Sequence, residues 1–306
     1  LLRAAGRILM QAAPDDVAVY AEDTLHFHGV TIAPGARLDQ LTWDNEDLDA
    51  ETATSTKSLT ATAARARISP KLGITFAPTH ALDVVLRGGG GFRSSDTRAT
   101  AAAGAFRAIP RVWAGDAGIQ LHPDDLARAA ASAFVSWQED EVAWVADAAQ
   151  AVEVPASTRY GLETRLAATL APWIERDASL SLARRRGTLP TGLAAEVAPL
   201  FPELIGHAGA TVTHGSTFVT LRGVGLAERV GADAHDSTFG VTLVAGHRWR
   251  AFEFDLQLDN VLDRSWNELV LPGEVRPSRV ADPIDDILAT PGAPLTAFAT
   301  VGYVAR

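Results

Sequence analysis

Between Val241 and Glu268 the sequence alternates with a period of two. Phe252, Phe254, Leu256 and Leu258 are interleaved with Glu253, Asp255, Gln257 and Asp259. Successive side chains of a strand point to opposite faces, so one face here is wholly apolar and the other wholly polar. Upstream, Val241, Leu243 and Ala245 alternate with small or polar residues, and His247–Ala251 makes a short break. The pair predicts a β-hairpin with one apolar face. What the rest of the chain must decide is whether that face meets a protein core or lipid.

The same rhythm runs through the chain. Val17–His28 predicts a strand, a tight connection at Gly29 follows, and Thr31–Trp43 predicts its partner. Pro34 removes a ladder donor and so is expected near a strand start. Asn45–Ser58 reads as a long loop, Leu59–Pro78 and Leu82–Phe92 as strands, and Arg93–Gly104 as a further loop. Strands are then predicted over Ala105–His122, Leu126–Val145, Arg159–Leu170, Glu175–Arg185, His207–Thr213 and Phe218–Leu226. Long connections are predicted over Gly187–Pro202 and Glu228–Ser237, and Asp263–Pro294 as the longest irregular stretch before a last strand, Leu295–Val304.

Two regularities choose the architecture. The predicted strands run to ~9–12 residues, where ~5–6 is usual in soluble sheets. The connections also alternate: Pro78–Ala81, His122–Asp125, Ala171–Trp173, His214–Ser216 and Arg250–Ala251 are tight, and those between are long. A soluble sandwich has no reason to gather its short turns at one end. A transmembrane barrel does, with short periplasmic turns and long outer loops. The expected fold is all-β, an antiparallel meander of about thirteen or fourteen strands forming part of a transmembrane β-barrel. Trp137, Tyr160, Trp144, Trp173, Trp249, Trp266 and Tyr303 fall near strand ends or turns, as in an interfacial girdle.

Composition removes several classes. A formal net charge of −10 argues against nucleic acid as a partner, because phosphate binding wants a basic face. The absence of cysteine excludes disulfide stabilisation, thiol nucleophiles and cysteine-ligated metals. No apolar run reaches the ~20 residues a spanning helix needs, which leaves β-strands as the way through a bilayer. The start at Leu1, with neither an initiator Met nor a leader, reads as a cut.

Six short strings, in order along the chain, resemble the C-terminal barrel half of the TonB-dependent outer-membrane receptors. They are Asp16–Asp23 with Pro34–Arg37, Ile68–Gly73 (ISPKLG), Leu86–Asp96 (LRGGGGFRSSD), Tyr160–Glu163 (YGLE), Asp259–Asn267 (DNVLDRSWN) and Thr290–Pro294 (TPGAP). The resemblance implies a barrel of about twenty-two strands filled by an N-terminal plug that contacts the TonB complex. It implies active uptake of a scarce nutrient, mainly a ferric siderophore, with haem or cobalamin as further cargoes, and no enzymatic activity. On this reading residues 1–306 are the C-terminal portion of the barrel, with plug and roughly eight strands lying upstream. The expected partners are outer-membrane lipid, the TonB complex through the plug, and a small-molecule or metal-chelate substrate. The last residues, Tyr303–Arg306, depart from the family's aromatic end. A passive porin-like barrel and a soluble secreted β-protein are the alternative readings.

No catalytic, cofactor-binding or metal-ligating residue is assigned, and the substrate-binding residues are unassigned because the family's specificity lies in loops and plug. Gly88–Gly91 lacks the Lys-Ser/Thr and helix of a phosphate loop and is expected inside a strand. The acidic group Asp44, Glu46, Asp47, Asp49 and Glu51 lacks calcium-loop spacing and reads as a solvated loop. His26 and His28 share a strand face but have no third ligand in sight. Ser, His and Asp occur without a nucleophile elbow. Arg184–Arg186 precedes a long loop, where lipopolysaccharide phosphates or solvent would meet it.

Overall fold

The computed structural model describes residues 10–47, 61–93, 109–145, 150–188, 202–229, 237–275 and 284–304. It is an antiparallel meander. Strands β1 (Met10–Glu22), β2 (Leu25–Phe27), β3 (Val30–Asp47), β4 (Ala61–Thr79), β5 (Leu82–Phe92), β6 (Arg111–Leu121) and β7 (Ala127–Gln138) form its first half. The second half comprises β10 (Ser157–Ala171), β11 (Ile174–Gly187), β12 (Pro202–His214), β13 (Thr217–Arg229), β14 (Thr238–Trp249), β15 (Phe252–Asp259) and β18 (Thr296–Tyr303). Together they make one 14-stranded sheet whose neighbours follow chain order. Among the described residues its two edges, β1 and β18, do not meet, so the sheet is an unclosed part of a barrel.

The predicted rhythm of connections is present. Two-residue turns join β2 to β3, β4 to β5, β10 to β11, β12 to β13 and β14 to β15, all at one end. Gly29, Gly215 and Arg250 take positive φ there, as tight hairpin turns require. β14 runs through to Trp249, so the expected break at His247–Ala251 narrows to Arg250–Ala251.

Pro34 lies four residues into β3, not at its start, and the pairing explains how it is tolerated. Glu22 faces Gly35 and Leu25 faces Ile32, so β1 and β2 are one ribbon in a single register. The ribbon is interrupted only at Asp23–Thr24, opposite Pro34, where the missing N–H removes a rung; the Asp23 amide still donates to the Pro34 carbonyl at 3.1 Å. β3 also continues to Asp47, so the first residues of the expected Asn45–Ser58 loop are strand paired with β1.

Two further corrections concern the opposite end. The expected strand Leu126–Val145 is two elements: β7 leaves the sheet at Gln138, and β8 (Glu141–Val145) pairs with β9 (Gln150–Val154) in a separate hairpin. The stretch Asp263–Pro294, expected to be irregular, carries a second hairpin of β16 (Asn267–Val275) and β17 (Ile284–Pro291). Both hairpins stand at the end of the long connections. Sequence alternation passes through Glu139–Asp140 without a break, and only pairing shows where the chain departs. The Glu139 amide donates to Arg111 O at 2.9 Å while its carboxylate takes the Arg111 amide at 3.0 Å, which marks the exit.

Register sorts the side chains into two faces. Phe252, Phe254 and Leu256 share the outer face with their cross-strand neighbours Tyr303, Val301 and Ala299, and this face is open. Among the described residues no second layer covers it, and only five hydrophobic side chains are buried. A soluble sandwich would bury one whole apolar face against another.

At the short-turn end the outer face carries an aromatic cluster. Phe252 lies 6.5 Å from Trp249 and 5.4 Å from Tyr303 between ring centroids, and the Arg250 guanidinium stands 5.1 Å above Trp249. Toward the other end Trp113 and Trp137 face each other in register, with Tyr160 close by on β10. Two belts at the two ends of an apolar face are the arrangement of an interfacial girdle. Trp144 lies in β8 and Trp266 beside Gly292, away from either belt.

Candidate functional site

The opposite, inner face is where the charge is. Lys71 Nζ reaches Glu22 at 2.7 Å, Arg37 Nε reaches Asp39 at 2.6 Å, and Arg37 also approaches Asp16 at 3.4 Å. Near the short-turn end His122 stands 3.9 Å from Asp83. Arg248 and Glu253 pair across β14 and β15, while Asp259 accepts from Thr242 at 3.1 Å and from Gln257 at 2.9 Å. Exposed pairs of this kind contribute little to stability. Their meaning is that the inner face is built for water and polar partners.

The densest network spans β11, β12 and β13. His207 lies between the Ser179 hydroxyl, 2.7 Å from Nδ1, and Asp177, 2.9 Å from Nε2; Arg222 donates to the other Asp177 oxygen at 3.0 Å. A neutral imidazole with its proton on Nε2 donates to Asp177 and accepts from Ser179, so every partner is satisfied. The three residue types are those of a hydrolytic triad. Acyl transfer also needs free N–H donors converging on a developing oxyanion. Ser179 sits mid-strand, its surroundings paired with β10 on one side and β12 on the other. The network braces the wall.

Between these braces lie two adjoining hollows of about 360 and 530 Å³. Arg87 and Asp116, opposite each other in register, line both; Glu163 and Arg165 complete the first, Lys71 and Phe134 the second. Arg87, Asp116, Glu163 and Arg165 form no ion pair with any described residue. Four uncommitted charges, two of each sign, thus face the interior at mid-wall. Sequence reading missed them, because each is an ordinary polar member of an alternating strand until register gathers them.

The residues singled out from sequence fall elsewhere. Gly88–Gly91 lies within β5, as expected. His26 donates to or accepts from Thr31 at 3.1 Å on the inner face and His28 is in the following turn. Among the described residues no three His, Asp or Glu side chains gather as a metal group would. Asp44, Glu46 and Asp47 end β3, while Asp49 and Glu51 lie outside the described residues. Arg184 approaches Glu203 at 3.7 Å and Arg185 donates to Thr188 O, both near the end of β11.

The family strings prove to be structural ties. In YGLE, Gly161 is pressed between strands: a Cβ there would collide with Leu182 O and stand 2.8 Å from the Phe134 ring. In DNVLDRSWN, Asn260 is buried, with φ of 51°. Its Nδ2 donates to Arg264 O at 2.9 Å and Ala293 O at 3.2 Å, and its Oδ1 accepts from Arg264 N at 3.0 Å. Asp263 accepts from the Leu295 amide at 3.2 Å. The string therefore knots the exit of β15 to the start of β18.

An amphipathic meander with apolar exterior, polar interior, aromatic belts and one-sided tight turns defines the wall of a transmembrane β-barrel. Residues 11–262 match the family described as TonB dependent receptor-like, beta-barrel, and the chain belongs to that family. The family is made up of transport receptors and not enzymes. No curated relative matches the sequence. Among solved structures, the chain is similar to "Copper transporter OprC" with TM-score 0.75 at 17% identity, over 96% of this chain and 48% of that one. It is similar to the ferric yersiniabactin uptake receptor FyuA from Yersinia pestis with TM-score 0.74 at 12% identity, over 95% and 46%. The ferric citrate transporter FecA gives 0.71 at 14%, over 96% and 45%. At these identities the likeness is one of fold, and the chain spans about half the length of each structure.

Proposed function

We propose that this chain is the C-terminal portion of the barrel of an outer-membrane receptor that takes up a scarce metal chelate, foremost a ferric siderophore, using energy delivered through TonB. Haem and cobalamin are further cargoes of the same class. A plug domain carried by the rest of the protein would fill the lumen and contact the TonB complex, and lipid would surround the outer face. The observation that carries this reading is the inner wall. Its four uncommitted charges, Arg87, Asp116, Glu163 and Arg165, face the space a plug would occupy. Lumen charges also line passive diffusion pores, so the energy dependence of uptake is what separates the two readings. The solved neighbours, whose names include copper, ferric yersiniabactin and ferric citrate, support the cargo class.

The test is uptake of radiolabelled iron, offered as a panel of chelates, by cells with and without the gene. Uptake of one chelate that is lost on deletion and abolished by a proton uncoupler is the expected result. Uptake that persists under the uncoupler would establish a passive pore instead.

A further inference from the structure

The barrel wall is forked. β4 and β5 are paired from Thr79–Leu82 up to Lys71–Gly89, and there the ladder stops. Beyond it β4 remains paired with β3 as far as Ala61, and β5 with β6 as far as Phe92. In the next step of the register Pro70 would face Gly90. The Pro70 carbonyl points toward β5, 3.0 Å from where a Cβ on Gly89 would stand. On an antiparallel strand a residue's N–H points the same way as its carbonyl, and proline has none. The missing donor ends the ladder, and the fork opens toward the long-connection end.

The fork leaves a hollow of about 370 Å³ between the two strands. Leu38, Ile68 and Trp113, all exposed on the outer face, line it, with the Trp113 ring resting on Gly90. Arg111 stands at its upper margin, exposed, and its guanidinium has no partner among the described residues. Arg67 closes the back; it is 6% exposed, donates to Ile109 O at 2.7 Å, and its Nε has no partner. Arg65 lies close enough to act on the same charge. Two described acids lie nearby: Asp39, opposite Arg67 in register, gives one oxygen to Arg37, and the Glu139 carboxylate accepts from the Arg111 amide.

We infer that the fork binds a phosphorylated, acylated lipid of the outer leaflet, one acyl chain lying against Leu38, Ile68 and Trp113 and its phosphate meeting Arg111. The chemistry is complementary in order: an apolar slot opening to the bilayer, then a cation at the depth where headgroups begin, backed by a buried arginine with spare donor capacity. Trp113, amphipathic and at that same level, suits the boundary. The inference rests on the outer-membrane reading proposed above.

The experiment is native mass spectrometry of the full receptor in mild detergent, titrated with purified diphosphoryl lipid A, phosphatidylglycerol or inorganic phosphate. Arg111→Gln and Ile68→Trp are compared with the unaltered protein, and folding is read from heat-modifiable gel migration. Retention of lipid A is expected, weakened about tenfold by either substitution, with folding unchanged. Equal retention in both variants, equal binding of phosphatidylglycerol, or displacement by inorganic phosphate alone would overturn the lipid site. Failure of the unaltered receptor to fold in bilayers would instead strike the outer-membrane reading itself.

Discussion

Asp39 and Arg67 face each other in register on β3 and β4, yet they do not form an ion pair. Asp39 gives one oxygen to Arg37, and Arg67 turns to the carbonyl of Ile109, forty-two residues away. Each keeps one buried atom without a partner, Asp39 Oδ2 and Arg67 Nε. Arg67 therefore holds the start of β6 against β4 where the ladder between β4 and β5 has failed.

Replacing Arg67 by Met removes the donor to a buried carbonyl and is expected to cost about 1–3 kcal/mol. Urea titration of the receptor folded in vesicles measures it. An unchanged midpoint would mean that the tie to Ile109 carries no weight.

The lipid-facing assignment of β15 predicts an asymmetry between neighbours. Leu256→Arg places a charge on the apolar face and should cost ~2–4 kcal/mol if it lies at the bilayer midplane. Gln257→Arg, one residue on and facing the lumen, should stay within about 0.5 kcal/mol. The same vesicle titration reads both, and equal losses would contradict the sorting of faces.

Gly161→Ala drives a methyl into Leu182 O and the Phe134 ring, an overpacking expected to cost about 1–3 kcal/mol. Phe134→Leu in the same chain should relieve only the part owed to the ring, since the carbonyl does not move. A double-mutant cycle separates the two contributions.

Arg87→Gln together with Arg165→Gln should leave folding stability within about 0.5 kcal/mol, because neither side chain has an ion pair to lose among the described residues. If the uptake function proposed above holds, chelate transport should nonetheless fall. A parallel loss of folded receptor in the membrane would place these residues with the structural braces.

Much of this was legible from the chain. The period of two marks the strands because a barrel wall has two chemically opposite faces, and the one-sided tight turns reveal the meander. The side hairpins were not legible: Leu269, Val270 and Leu271 run together and Pro272–Gly273 interrupts, so no alternation announces β16. Nor were the inner networks, which depend on register. Asp177 and Arg222 are forty-five residues apart and meet only because β12 lies between their strands. Pro70 and Gly88–Gly91 were visible as residues, but the fork they make belongs to two strands at once.

Asn260→Ala would remove three hydrogen bonds and a residue suited to positive φ, at a cost of about 2–4 kcal/mol by the same vesicle titration. The knot it ties has a further consequence. Exit from β15 and return to β18 are clasped at the wall by Asn260 with Ala293 and by Asp263 with Leu295. Whatever is spliced between β16 and β17 therefore hangs from a fixed neck, and its length and sequence can drift without passing strain to the register of the barrel. The connection carried at that end can change while the wall beneath stays the same.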